Sequence, residues 1–302
     1  MKKFMSISLA VMLSVLLAAC SQQDGETDRS APTQDNKGSQ PVFKIGAIPD
    51  QNVSALKRRF GEFADYLEKQ TDLKVEYVNS RNYAALVSAF KRGEVQLAWF
   101  GGLTGVQARN AVPGAEAIAQ RPTDAEFHSV FIVHEGLDVH KLKDLKGLSF
   151  TFGSESSTSG HLMPRYFLTE AGIDPETDFD GKPNYSGSHD KTWKLVESGA
   201  YQAGALNELV WKSRKKQGKI NLDKVHAFYT TPAFYDYNWT INGNVNEKFG
   251  EGTKKAVQKA LLSMNKEQNQ ILELFHTDKF IKTNNENYAK IKKVAKNIGI
   301  IK

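Results

Sequence analysis

Arg92-Gly93-Glu94-Val95-Gln96-Leu97-Ala98 recurs in altered form as Ser198-Gly199-Ala200-Tyr201-Gln202-Ala203-Gly204, with the Gly and the Gln both displaced by 106 residues. Each copy runs from a helix-ending glycine, through a Gln-containing strand, to a strand tip followed by a helix. Around the first copy, strand and helix patterns alternate. Residues 43–48 read as a strand, 56–70 as an amphipathic helix, 74–78 as a strand, 83–91 as a helix stopped by Gly93, and 95–99 as a strand. The same rhythm resumes after Leu145. This order predicts an α/β fold with two lobes, each a largely parallel sheet flanked by helices. Open α/β sheets bind ligands beyond the carboxyl ends of their strands, so two lobes facing each other there would enclose a cleft.

In the second half, Gly153-Ser154-Glu155-Ser156-Ser157-Thr158-Ser159-Gly160 lies at a strand-to-helix junction. Leu148, Phe150 and Phe152 alternate with small polar residues before it; Leu162, Tyr166 and Phe167 follow at helical spacing, with Pro164 where a first turn tolerates it. Free N–H groups and the positive end of the helix dipole favour a bound anion at such a junction. Ser157, Thr158 and Ser159 add donors without adding charge. Taken alone, the stretch is better explained as a helix cap with loop filler; its surroundings shift the balance.

The chain starts with Lys2 and Lys3, continues through a mostly apolar stretch at 7–17, and reaches Leu17-Ala18-Ala19-Cys20. That is a signal peptide over residues 1–19 closing on a lipobox, too short to span a bilayer. Cys20 is the only cysteine, so it is the expected lipidation site and no intramolecular disulfide is possible. Residues 20–41 are polar and small, the composition of a flexible tether. The expected location is extracytoplasmic, with the membrane reached through the lipid anchor alone. The formal charge is +6, and basic runs at 212–219 and 290–296 read as solvated helix faces, which with export argues against a nucleic-acid partner. The seven histidines show no metal-ligand spacing, so neither metal nor cofactor is expected.

Asn82-Tyr83-Ala84, Ala98-Trp99-Phe100-Gly101, Ser157-Thr158-Ser159-Gly160 followed by Pro164, Gly187-Ser188-His189-Asp190, Asn207-Glu208, and Asp236 ahead of Trp239 succeed one another along the chain. In this order, from Phe43 to about Trp239, the chain resembles the phosphonate, phosphite and phosphate group of periplasmic solute-binding proteins that serve ABC importers. The resemblance implies a hinged, type II binding fold, with residues 42–130 plus 240–302 as lobe 1 and 131–239 as lobe 2. It implies a substrate-binding lipoprotein, acting as a monomer, that delivers a small oxyanion to a permease and ATPase. Carried over by position, Tyr83 and Phe100 would contact ligand from the first lobe, Ser157, Thr158, Ser159, His189 and Glu208 from the second, and Asp236 from near the hinge. Two departures stand out: Phe100 replaces a common Tyr, and Phe-Tyr-Asp-Tyr-Asn around Asp236 replaces a Pro-Gly-Asp-Pro pattern. The segments at 99–105 and 153–160 are also similar to a selenate-binding subgroup.

Neutral donors suit reversible capture, since release then needs only that the lobes part. Carboxylates such as Glu208 and Asp236 would repel a dianion but accept a hydrogen bond from a ligand carrying O–H or N–H. Hydrogen phosphonate, phosphite, aminoalkyl phosphonate and hydrogen selenite fit that rule better than selenate or sulfate. As a donor, His189 would act best when protonated, so affinity would fall as pH rises through its pKa. Two other functions compete. A serine hydrolase would use a serine of 154–159 with His161 or His189, but the chain lacks a Gly-x-Ser-x-Gly elbow. A ligand-presenting sensor would share the same fold and site.

Overall fold

Strand β1 (Phe43–Ala47), helix α1 (Val53–Thr71), β2 (Val75–Val78), α2 (Tyr83–Lys91), β3 (Leu97–Phe100), α3 (Gly102–Ala111) and β4 (Glu116–Gln120) follow in the predicted alternation. The chain then forms β5 (Ser129–His134), β6 (Phe150–Phe152), α4 (Met163–Glu170), β7 (Asn184–Tyr185), α5 (His189–Glu197), β8 (Ala203–Asn207), α6 (Glu208–Lys216) and β9 (Val225–Thr230). It returns through β10 (Asn238–Ile241), α7 (Val245–Phe249), α8 (Thr253–Ser263), α9 (Asn269–Leu274), β11 (Ile281–Lys282) and α10 (Ala289–Asn297). This computed structural model describes residues 41–301; the expected signal peptide, Cys20 and nearly all of the tether lie outside the described residues.

Two sheets result, ordered β11-β4-β10-β3-β1-β2 and β7-β6-β8-β5-β9. In each, three neighbouring strands are parallel, β2-β1-β3 in the first and β7-β6-β8 in the second. The sheets as wholes are mixed, because β10 runs against β3 and β4, and β5 against β8 and β9. The physical reason is the short connection between sheets. The chain leaves β4 at its carboxyl end, enters the other sheet at the facing end, and so runs β5 in reverse; β9 to β10 repeats the manoeuvre. The crossings occupy residues 121–128 and 231–237, so the expected lobe boundaries at 130/131 and 239/240 fall inside β5 and β10.

The two crossings pair with each other. Phe127 N–H donates to Phe234 O at 2.8 Å, Phe234 N–H donates back to Phe127 O at 2.9 Å, and Asp236 N–H donates to Asp124 O at 3.0 Å. Arg121 grips Asp124 through Nε at 2.8 Å and Nη2 at 2.6 Å, while its guanidinium lies 4.9 Å from the centre of the Tyr237 ring.

The sequence repeat corresponds to a repeated construction. Helices α2 and α5 both stop at a glycine of positive φ, Gly93 at 70° and Gly199 at 75°, where a side chain would be strained. Beyond them, Gln96 Oε1 accepts from Lys44 N–H at 2.7 Å and Gln202 Oε1 accepts from Ser149 N–H at 2.9 Å. Each glutamine thus satisfies a backbone donor at the start of the neighbouring parallel strand, where the ladder has not begun. The core of the first sheet is aromatic. Trp239 stacks on Phe63 with ring centroids 4.7 Å apart, and Phe60, Trp99, Phe275 and Phe280 meet it edge-on or tilted.

Candidate functional site

After β6 the chain folds back on itself before α4 begins. Gly153 N–H donates to Gly160 O at 2.8 Å, and Ser157 Oγ accepts from Gly160 N–H at 2.9 Å. Residues Thr158–Leu162 form one π-helical turn, a wider turn often found at functional sites. Ser157 is therefore the cap of this turn as well as a member of the hydroxyl run. A Cβ on Gly160 would stand 2.9 Å from Ser157 Oγ and 3.1 Å from His189 Cε1, so only glycine lets His189 pack this closely. The loop is pinned from outside by His161, whose Nδ1 lies 2.7 Å from Glu155 O and whose Nε2 accepts from Arg165 Nε at 2.9 Å.

The start of α3, in the first sheet's layer, faces this turn. Leu103 N–H donates to Thr158 Oγ1 at 2.9 Å, and Gly102 N–H donates to Asp236 Oδ1 at 2.9 Å. The first free amides of a helix thus converge on a hydroxyl of the second sheet and a carboxyl of the crossing segment. Ser157, Thr158, Ser159, His189, Asp236 and Tyr83 are all buried to within 2 % of full enclosure. Among the described residues, neither Tyr83 Oη nor Asp236 Oδ2 has a hydrogen-bond partner. Such orphans cost on the order of 1–3 kcal/mol each, and two within one polar cluster mark a place built for something other than stability.

Electrostatics agree. Burial pushes the Asp236 carboxyl up to about 7, against the opposing effect of Gly102 N–H and the Thr158 and Ser159 hydroxyls. Burial also drives the Tyr83 phenol far above its usual range; the Asp50 and Asp236 carboxylates add to this, and the nearby Ser157 hydroxyl opposes it without completing a hydrogen bond to Oη. The site can therefore donate through phenol, hydroxyls and amides, and accept through one carboxyl that titrates near neutrality.

His189 departs from expectation. Burial holds it down to about 4, so it is neutral at ordinary pH. Its Nδ1 accepts from Asn207 N–H at 3.3 Å, which leaves the proton on Nε2, 3.4 Å from Tyr237 Oη. A fall in affinity through a histidine pKa near neutrality is thus not expected. Next to His189, the Ser188 side chain makes no cap bond to α5 among the described residues, and Asp190 pairs with Arg214 at 2.7 Å.

Two further candidates are not brought into the cluster. The Phe100 ring packs edge-on against Phe90 at 5.5 Å, within the core. The Glu208 carboxylate pairs with Lys212 at 2.9 Å along its own helix. Conversely, Asp50 and Tyr237 belong beside the cluster and were not singled out from sequence. Tyr237 Oη donates to Asp50 Oδ2 at 2.8 Å and accepts from Asn207 Nδ2 at 3.1 Å, while Asp50 O accepts from His189 N–H at 3.1 Å. Asp50 sits on the loop after β1, the counterpart of the turn after β6, so the strand-tip rule applied to both repeats would have found it. Among the described residues, no group of three or more His, Cys, Asp or Glu is placed to hold a metal ion, and no helix is long and apolar enough to cross a membrane.

The family model described as "ABC transporter, phosphonate, periplasmic substrate-binding protein" matches residues 45–288. The probable ABC transporter phosphite binding protein PhnD1 of Prochlorococcus marinus (strain MIT 9301) is 42 % identical over 270 residues, which cover 86 % of this chain and 91 % of that protein. The phosphate-import protein PhnD of Mycolicibacterium smegmatis is 30 % identical over 222 residues, covering 70 % and 68 % of the two chains. Among solved structures, P. marinus PhnD1 in complex with methylphosphonate superposes with a TM-score of 0.83, at 43 % identity, over 86 % of this chain and 99 % of that one.

Proposed function

The chain belongs to the phosphonate-binding family of ABC transporter periplasmic substrate-binding proteins, and from that premise we propose that it captures a small hydrogen phosphonate or phosphite at the turn formed by Ser157, Thr158 and Ser159. Proteins of this family are binding components rather than enzymes, and their place is extracytoplasmic. The observation that carries the ligand assignment is the pair of buried orphan atoms, Tyr83 Oη as donor and Asp236 Oδ2 as acceptor, beside that turn. A monoanionic tetrahedral ligand matches both: its unprotonated oxygens take Tyr83 and the hydroxyls of the turn, and its single O–H meets Asp236. The two sheets act as lobes, hinged at the paired crossings. Closure buries the ligand, and the amide-to-Thr158 contact across the sheets forms as they meet. About eight neutral hydrogen bonds at roughly 1 kcal/mol each reach micromolar affinity.

The test is calorimetric titration with methylphosphonate, phosphite, phosphate, hydrogen selenite, selenate and sulfate at one pH near 7. Ligands that carry one O–H are expected to bind at least about tenfold more tightly than selenate or sulfate, a difference of about 1.4 kcal/mol. Equal affinity for sulfate would remove Asp236 as the selecting group, and tightest binding of selenite would move the substrate from phosphorus to selenium.

In the same reading, Cys20 carries the lipid that holds the protein at the outer face of its membrane, and the polar residues after it give the lobes reach toward a permease. The lipobox wording Leu17-Ala18-Ala19-Cys20 supports this. Cys20→Ser is expected to move the protein from the membrane fraction into the soluble fraction while leaving ligand affinity unchanged. Retention at the membrane by the serine variant would exclude the lipid anchor.

A further inference from the structure

Between the start of α1 and the α5–α6 pair runs a groove whose walls carry Arg59 on one side and Lys194, Arg214 and Lys219 on the other, with Asp190 as the one carboxylate among the described residues that line it. That carboxylate is already spent: Arg214 holds it in a two-point pair, Nε to Oδ1 at 2.7 Å and Nη2 to Oδ2 at 2.9 Å. Arg214 Nη2 also reaches across the groove to Gln51 Oε1 at 3.2 Å. Among the described residues, Arg59, Lys194 and Lys219 have no carboxylate within 4.0 Å. Arg59 Nη1 caps the end of α9 through Leu274 O at 3.2 Å, while its Nε is buried without a partner.

The groove does not end at the surface. Gln51, Leu56 and Arg59 also line a deeper chamber that reaches Asp50, Asn207 and Tyr237, the three residues that hold His189 against the turn. The positive field extends into that chamber. His276, on its wall, is held down to about 4 first by burial and then by Arg121, Arg59 and Arg214. Fixed positive charge therefore borders both the groove and the chamber behind it, which share Gln51, Leu56 and Arg59.

We propose that this groove is the entry vestibule of the binding cleft, in which Arg59, Lys194, Arg214 and Lys219 draw a small oxyanion in and steer it toward the Asp50–Tyr237 end of the site. The division of labour is physical. Long-range attraction by a charged, low-dielectric groove raises the encounter rate, whereas the neutral donors around Thr158 hold the ligand without a strong ion pair that would slow release. The exposed lysines of the rim then act on association and leave dissociation alone. This inference rests on the oxyanion reading above, and the experiment separates the two.

Stopped-flow fluorescence with methylphosphonate gives kon and koff for the wild type, for K194E/K219E, and for K290E/K293E, a reversal of equal charge on the exposed side of α10. At roughly 10 mM ionic strength, where the screening length is about 30 Å, K194E/K219E is expected to lower kon by roughly tenfold with koff unchanged, and K290E/K293E to leave both alone. At about 150 mM the difference should shrink to within roughly twofold, as screening closes to about 8 Å. The neutral variant K194Q/K219Q should fall between wild type and reversal, which guards against a folding defect in either. An unchanged kon in K194E/K219E, an equal loss in K290E/K293E, or a loss confined to koff overturns the vestibule while the binding site stands. Absence of methylphosphonate binding by the wild type overturns the oxyanion reading and the vestibule with it.

Discussion

Thr158→Val is expected to weaken oxyanion binding by about 1–3 kcal/mol, roughly 5- to 150-fold, while Thr158→Ser stays close to wild type. The reason lies in what the hydroxyl does on each side. Its oxygen accepts from Leu103 N–H at 2.9 Å, which ties the turn of one sheet to the start of α3 in the other layer, and its proton lies on the Asp236 side, inside the cluster. Valine has nearly the same shape but no acceptor. Closing the lobes would then bury an unpaired amide, and an apolar methyl would face the anion. Calorimetric titration of both variants checks the effect, with circular dichroism to show that the fold is kept. If the valine variant binds as tightly as wild type, Thr158 is a structural cap and the anion sits elsewhere.

Asp236→Asn is expected to invert selectivity. With Oδ1 occupied by Gly102 N–H, the amide presents its NH2 where the orphan Oδ2 stood. A donor at that point accommodates an unprotonated oxygen, so sulfate and selenate should gain affinity and hydrogen phosphonates should lose about 1.5–3 kcal/mol, roughly 10- to 150-fold. The ligand-free protein supplies a second readout. The Asp236 pKa is raised from the usual 3.8 to about 7, chiefly by burial, so its contribution to stability is full below the unfolded value and is lost as pH rises through 7. Asp236→Asn should therefore raise Tm relative to wild type at pH 8, and the gap should close as pH falls toward 5. Asp50, raised to about 6 by burial, and the buried histidines are common to both proteins and cancel in the difference. A gap that does not change with pH would show that Asp236 is not the titrating group.

The features legible in the sequence are local ones. The helix predicted at 83–91 has those bounds, because Asn82 at its start accepts from Ala85 N–H at 2.8 Å and Gly93 stops it beyond its end. The repeat with its displacement of 106 residues anticipated two similar constructions, down to the matching glutamines. Strand direction left no local trace: β5 is an ordinary strand and β10 only four residues long, and only the short crossings decide that they are reversed. Phe100 could not be placed on a face, since all four residues of β3 are buried and alternation carries no signal there. Glu208 was readable in hindsight, its partner Lys212 standing four residues on, at the spacing that favours such a pair. The bond between Asp50 and Tyr237 spans 187 residues of sequence and could come only from the fold.

The position of β10 bears on how this chain can be made and broken. It is the second-last strand of the described chain, yet it lies inside the first sheet, between β3 and β4. An N-terminal fragment ending before Asn238 would contain both of those strands and nothing to join them, leaving two raw edges of unpaired backbone open to foreign strands. The second sheet, by contrast, is drawn from one uninterrupted stretch, β5 through β9. An interrupted translation product, or one cut by a protease in the second crossing, would thus carry a finished half and an adhesive one, and only the arrival of four late residues, Asn238–Ile241, makes the molecule safe from its own edges.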